Sequence, residues 1–283
     1  MITSISNSEL TAQIKHLGAE LCSLKNNSDV EYIWEGNPDF WGKHSPILFP
    51  IVGTLKNNSF TYNQKEYTLS RHGFARDMEF ELIEKLNNKA IFSLKSSEDT
   101  LKLYPFEFEL QIIYTLEAKK LIIDYKVENK SKVTMPFSIG AHPAFSLTGD
   151  FENYSIEFEK EETLDYFLLE NDLVSNTTQK LKTERKQIAL NYELFANDAL
   201  IFKTIESKSL VILKKSNPIL KVRFEDFPNL GIWTKIDATF ICIEPWFGYS
   251  DTIEKSGNLF EKEGIQIIAK DGIFKSSFYI EIF

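Results

Sequence analysis

The dominant hydrophobic period along this chain is two. Phe106, Phe108, Leu110 and Ile112 alternate with Glu107, Glu109 and Gln111. Leu121, Ile123, Tyr125 and Val127 alternate with Ile122, Asp124, Lys126 and Glu128. Leu220, Val222 and Phe224 alternate with Lys221, Arg223 and Glu225, and Phe278, Ile280 and Ile282 close the chain in the same manner. Such alternation, with β-branched and aromatic residues on the apolar face, predicts half-buried antiparallel strands. Polar turns separate them at Asn57-Asn58, Asn129-Lys130-Ser131 and Lys270-Asp271-Gly272.

One stretch departs from the alternation. Phe240-Ile241-Cys242-Ile243 is apolar throughout, which predicts a strand buried on both faces. Glu244 then falls on the face of Phe240 and Cys242. Pro245, which cannot donate to a ladder, marks the expected end of the strand. A carboxylate in that position is costly unless it is paired or used. It either escapes into water as the strand ends or has partners elsewhere in the chain.

Helical signals are few. Ser97 caps a two-turn segment through Leu103 that Pro105 stops, and Leu190 to Leu200 holds another short helical piece. The run Pro46 to Val52 reads as a buried edge segment, and Glu157 to Glu162 as a solvated edge and loop. Without repeats or a Pro- or Gly-rich linker, the pattern predicts a single domain over residues 1–283. Its expected class is all-β, a large antiparallel β-sandwich with few short helices.

Composition narrows the partners. A hydrophobic fraction of 43% and a charged fraction of 26% fit a globular protein. The 23 Phe, 11 Tyr and 4 Trp can fill a large core and still line a groove. A formal net charge of -9 argues against nucleic acid and against anionic membranes as partners. Met1 to Leu10 is polar and no apolar run is long enough to span a bilayer, so a cytoplasmic protein is expected. Cys22 and Cys242 make no redox or metal pair, and His16, His44, His72 and His142 are not clustered. No metal site is expected.

Two histidines have informative surroundings. His142 follows Gly140 and Ala141, which let something approach the backbone closely, and precedes Pro143, which ends the ladder. It is either a loop histidine bonded to backbone or a functional group. His72 sits in Ser70-Arg71-His72-Gly73-Phe74-Ala75-Arg76-Asp77. Its arginines either pair with Asp77 and Glu79 on the surface or bind hydroxyls or an anion.

Six pieces occur in an order that resembles the aldose 1-epimerase (mutarotase) family, in its LacX-related branch. They are Pro46-Ile47-Leu48-Phe49-Pro50-Ile51-Val52-Gly53, Arg71-His72-Gly73-Phe74-Ala75-Arg76, Gly140-Ala141-His142-Pro143-Ala144-Phe145, Asn197-Asp198-Ala199-Leu200, Leu230-Gly231-Ile232-Trp233-Thr234 and Cys242-Ile243-Glu244-Pro245-Trp246. The resemblance implies a galactose mutarotase-like supersandwich with a sugar groove across one sheet. It implies an isomerase that opens and recloses an aldohexose without metal or cofactor, with Glu244 as general base and His142 as general acid. It places His72, Arg76 and Asp198 at the sugar. Thr54 stands where family members often carry arginine, which puts an arginine contact from that position in doubt. Arg71 and Arg76 leave a hexose 6-phosphate open as substrate, and a non-catalytic carbohydrate-binding protein on the same fold is a further alternative. Trp233, Trp246 and Phe145 are candidates to pack on the apolar face of a pyranose or to fill core. If the pair acts, His142 and Glu244 should face each other across one pocket with room for the ring between them. Burial against Trp246 and Phe240 should also raise the Glu244 pKa.

Overall fold

The computed structural model describes residues 1–254 and 257–283. Among the described residues, two antiparallel sheets dominate. The larger has nine strands in the order Gln187–Ala189, Tyr154–Phe158, Ser209–Lys214, Asn217–Arg223, Ile273–Ile282, Lys120–Asn129, Phe108–Glu117, Lys89–Lys95 and Glu81–Lys85. The alternating segments read from the sequence are its central strands, and each is inward-apolar and outward-polar as the pattern requires. The smaller has eight strands. It runs from Leu173–Leu181 through Leu164–Glu170, Leu200–Phe202 and Asn229–Trp233 to Phe240–Phe247. Beyond Phe240–Phe247 lie Ile139–Ala141 and Ala144–Ser146 side by side along its length, with Ile47–Leu48 at the edge. The buried edge role expected of the Pro46 to Val52 run holds.

The two sheets share one core. Ile112, Ile123, Val222 and Ile280 of the larger sheet belong to the same apolar cluster as Ile139, Ile232, Ile241 and Ile243 of the smaller. Phe247 packs edge-on to Phe274 at 4.9 Å across the layers. Phe240 and Cys242 point to the other face, where they join a separate cluster with Trp34, Ala144 and Ala238. The expected sandwich is therefore observed, and the outer face of its smaller sheet carries a second set of apolar clusters. The helical signals hold as Glu98–Leu103, with a capping box at Ser97, and as the 3-10 turn Tyr192–Phe195. Among the described residues no helix is long and apolar enough to cross a membrane. Glu159 and Glu162 are not merely solvated, because they accept backbone N–H groups of Lys208, Glu206 and Ser207.

Pro245 does not end its strand. The strand continues through Phe247, with Pro245 opposite Leu230. Ile243 N–H points to Pro143 O at 3.4 Å, so the nitrogen of Pro245, two residues on, faces the same side. On that side the neighbouring strand is interrupted at His142-Pro143, between Ile139–Ala141 and Ala144–Ser146. The missing donor falls where the ladder is already broken.

The close approach anticipated at Gly140 comes from Trp246. A Cβ on Gly140 would meet Trp246 Cδ1 at 2.5 Å, and one on Gly231, two strands away, would meet Cη2 at 2.4 Å. The indole thus lies across both neighbouring strands, with Nε1 donating to Ala141 O at 3.2 Å. Gly231→Ala is expected to lower stability by about 1–3 kcal/mol through overpacking. Urea denaturation checks this, and an unchanged midpoint would show that the ring can move aside.

Candidate active site

The site grows from the strand Phe240–Phe247. Alternation puts Phe240, Cys242, Glu244 and Trp246 on its outer face, and Glu244 lies in register with Gly231, over which the Trp246 indole passes. His142 sits in the break of the adjoining strand. Its Nε2 lies 3.2 Å from Glu244 Oε2, with His142 8% and Glu244 1% exposed. The contact is too poorly aligned to count as a hydrogen bond. His142 Nδ1 and Glu244 Oε2 are both buried without a hydrogen-bond partner among the described residues. The two groups therefore do not face each other across the width of a pyranose. They are neighbours on the floor, because they hang from adjacent strands.

A cavity of about 480 Å³ opens above them, within the usual range for small-ligand sites of roughly 300–1,000 Å³. Its lining brings together every site residue expected from the sequence: Glu244, His142, His72, Arg71, Arg76, Asp198 and Trp233. Trp246 also lines it, whereas Phe145 is wholly buried in the main core.

His72 is held in a left-handed conformation, with φ of 69°. Its N–H donates to Gly53 O at 2.8 Å, and its ring Nδ1 accepts Gly53 N–H at 3.1 Å. Its Nε2 accepts from Arg71 Nε at 3.3 Å, so N–H donors face both ring nitrogens. Its ring meets His142 edge-on at 5.8 Å. Burial, aided by His142, Arg71 and Arg76, holds the His72 pKa well below the ordinary histidine value.

The arginines differ in their partners. Arg71 Nη1 pairs with Asp172 at 3.0 Å, and its Nη2 lies 3.9 Å from Asp198. Arg76 Nη2 donates to Arg71 O at 2.9 Å, while Nε is 3.6 Å from Asp77 and forms no hydrogen bond. Asp198 sits in a left-handed turn after Tyr192–Phe195, with φ of 76°, and accepts Ala199 N–H at 2.7 Å. Thr54 N–H donates to Ser250 Oγ, so the guanidinium groups reaching the cavity are those of Arg71 and Arg76.

Several lining residues were not singled out in the sequence reading, among them Lys235, Ser250 and Trp41. Ser250 follows the buried strand in a turn, and Trp41 stacks on His142 with ring centroids 4.8 Å apart and planes at 27°. The available signal for Trp41 was an aromatic pair, Phe40-Trp41, in a loop bounded by Pro38 and Gly42.

The pair's electrostatics follow from enclosure. Burial raises the Glu244 pKa well above the ordinary carboxylate range; Arg71 opposes this shift and Asp198 adds to it. Burial also lowers the His142 pKa to about 3, with Arg71 and Arg76 pushing the same way. With the carboxyl pushed up and the imidazole pushed down, the two groups hold one proton between the lowered His142 value and the raised Glu244 value, and it is the pair that titrates. Cys242 brings a sulfur within 4.8 Å of both groups, a grouping that could be read as a metal centre. The thiol is wholly enclosed and burial pushes its pKa far up, so it stays protonated and serves as packing behind the pair.

The model for the family described as aldose 1-epimerase matches residues 1–265. The plasmid and chromosomal forms of protein LacX from Lactococcus lactis subsp. lactis are each 36% identical over 298 residues, covering 100% of this chain and 99% of the relative. Among solved structures, a galactose mutarotase related enzyme from Lactobacillus acidophilus superposes with a TM-score of 0.95 at 34% identity, covering 100% and 97% of the two chains. A galactose mutarotase-like protein from Lactobacillus casei gives 0.94 at 29% identity, with full coverage of both.

The raised Glu244 pKa has a thermodynamic consequence. Between its unfolded value of about 4.3 and its folded value, the native state keeps a proton that the unfolded chain releases. Stability therefore falls as pH rises through that window, by up to about 1.4 kcal/mol per pH unit. His142, with its lowered pKa, has the opposite slope, confined to pH values below about 6.5. Glu244→Gln should therefore melt above the wild type by a margin that widens as pH rises from about 4.3 toward the raised folded value. Thermal unfolding at a series of pH values checks this, and parallel curves would contradict it.

Proposed function

This chain belongs to the aldose 1-epimerase family, and we propose that it interconverts the α and β anomers of an unphosphorylated aldohexose. The observation that carries the reading is the enclosed Glu244–His142 pair on the floor of a sugar-sized cavity. Interconversion opens a hemiacetal and closes it on the other face. The anomeric hydroxyl must lose a proton while the ring oxygen gains one, so one base and one acid are needed together. A pair that holds a single proton supplies both.

With the proton on His142, the Glu244 carboxylate takes the O1 proton. C1=O1 forms, the C1–O5 bond breaks, and His142 protonates O5. The proton count of the pair is unchanged: Glu244 now carries the proton and His142 is neutral. Rotation about C1–C2 presents the other face of the aldehyde. His142 then takes the O5 proton as O5 attacks C1, and Glu244 returns its proton to O1. His72, edge-on to His142 and bonded through Nε2 to Arg71, stands near the ring oxygen or a neighbouring hydroxyl. Arg71 and Asp198 offer a donor and an acceptor for hydroxyls, and Trp233 offers an apolar face. No metal or organic cofactor enters these steps. The assignment of an uncharged sugar rests on Arg71, whose charge is offset by Asp172 and Asp198.

Anomer exchange followed by polarimetry or NMR on a panel of aldohexoses tests the reading. Glu244→Gln and His142→Ala should each lose about 10²–10⁴-fold of the enzymatic rate. A wild-type rate equal to that of buffer would remove the enzyme assignment and leave a carbohydrate-binding protein. Faster turnover of a hexose 6-phosphate, lost in Arg76→Ala, would reverse the choice of substrate.

The pH profile should also be distinctive. Between the lowered His142 value and the raised Glu244 value the pair keeps one proton, so the rate should show no step at histidine's ordinary value of about 6.5. Its acidic limb should lie toward the lowered His142 value of about 3, as far as the protein remains folded. A limb centred near 6.5 would show that His142 titrates independently.

A further inference from the structure

His142 is surrounded by groups that make its charged form expensive. Arg71, His72 and Arg76 approach from one loop, and the protonated thiol of Cys242 lies behind it. Only Glu244, from the neighbouring strand, offers a negative charge, and Asp198 acts on Glu244 rather than on His142. Yet the charged imidazole is needed in each turn of the cycle.

Two indoles also meet the ring: Trp233 edge-on at 5.8 Å, and Trp41 face-on. The Trp41 ring lies nearly flat on the imidazole, 4.8 Å between centroids and 27° between planes. It is itself braced by Trp233, edge-on at 5.6 Å, and by Phe240, stacked at 5.7 Å. The loop that carries it is fastened at both ends to one residue. Trp34 N–H donates to Ala144 O, and Ala144 N–H donates to His44 O, both at 2.9 Å. Between these anchors, Trp34 Nε1 donates to Trp41 O at 2.9 Å and His44 Nδ1 lies 2.7 Å from Trp34 O. A Cβ on Gly36 would meet His44 Cε1 at 2.7 Å, so the loop closes only with glycine there. Ala144 is two residues beyond His142. The loop therefore spans the break in the sheet and delivers its indole onto the ring in that break.

We propose that Trp41 is a positioning residue for His142: its π face fixes the imidazole plane and stabilises the imidazolium, so that the shared proton spends a larger share of its time on His142 than it would beside an aliphatic side chain. This rests on the reading of Glu244 and His142 as the proton-transfer pair. An aromatic face within about 6 Å of a cation attracts it, tryptophan most strongly. A neutral aliphatic side chain of similar bulk would preserve the packing and lose the attraction.

The test compares Trp41→Phe and Trp41→Leu with the wild type by two readouts. The first is the 15N spectrum of the His142 imidazole, assigned by its loss in His142→Ala, between about pH 5 and 8. The second is kcat and KM for anomer exchange. In Trp41→Leu the imidazolium character of His142 should fall, and kcat should fall about thirtyfold, the scale of one desolvated cation–π contact. KM should change little and the kcat loss should be the same at each pH on the neutral plateau. Trp41→Phe should lie between the two, and should Trp41→Leu fail to fold, that intermediate shift carries the test. An unchanged His142 spectrum in both variants would overturn the inference, as would a rise in KM at constant kcat, which marks a sugar platform. The spectrum does not depend on turnover. If the wild type fails to exchange anomers while His142 still responds to Trp41, the proposed function falls and the coupling of the two rings stands.

Discussion

A carboxylate and an imidazole enclosed 3.2 Å apart on the outer face of a sheet constrain much of the rest of this structure. Each group is deprived of water, and each is thereby pushed toward its neutral form. Two separate buried charges would be expensive, but two groups sharing one proton are not. The enclosed arrangement is therefore tolerable only while the pair remains a pair. That requires both side chains to hang from adjacent strands at matching heights. The strand Phe240–Phe247 supplies one, and the interruption between Ile139–Ala141 and Ala144–Ser146 supplies the other. Pro245 is accommodated by the same interruption, since its nitrogen faces the gap in which His142 sits.

Around the pair the packing is aromatic and depends on small residues. Trp246 lies across Gly140 and Gly231, which closes the floor beside Glu244 and leaves the strands at normal spacing. Trp41 arrives from a loop tied to Ala144 and covers the imidazole. His72 is locked by reciprocal bonds with Gly53, and its remaining ring nitrogen accepts from Arg71 Nε. These devices keep water from the proton-bearing atoms while leaving a cavity above them, and the charges of Arg71, Asp172 and Asp198 are largely settled among themselves at its rim.

The strands of the larger sheet were legible because each has one wet face and one dry face, so their alternation survives in the sequence. The Glu98–Leu103 helix was legible through its cap and the proline that follows. Glu244 was visible as a carboxylate out of keeping with an apolar run, and the ordered motifs around His72, His142 and Asp198 pointed to one cavity. The adjacency of Glu244 and His142 was not legible, because register between strands about a hundred residues apart leaves no local trace. The end of the strand was misjudged at Pro245, since whether a missing N–H matters depends on what lies opposite. Trp41 and Ser250 belong to irregular segments where no period marks a face, and their importance exists only through what they touch.

The account stands on the claim that the buried pair holds a single proton throughout the neutral range. The most direct measurement is the 13C shift of the Glu244 carboxyl carbon as a function of pH, assigned by its absence in Glu244→Gln. The account predicts a midpoint well above the ordinary carboxylate value of about 4.3, with no step where a free histidine would titrate. A midpoint at that ordinary value, with the His142 ring neutral at pH 7 by its 15N shifts, would contradict the one-proton pair.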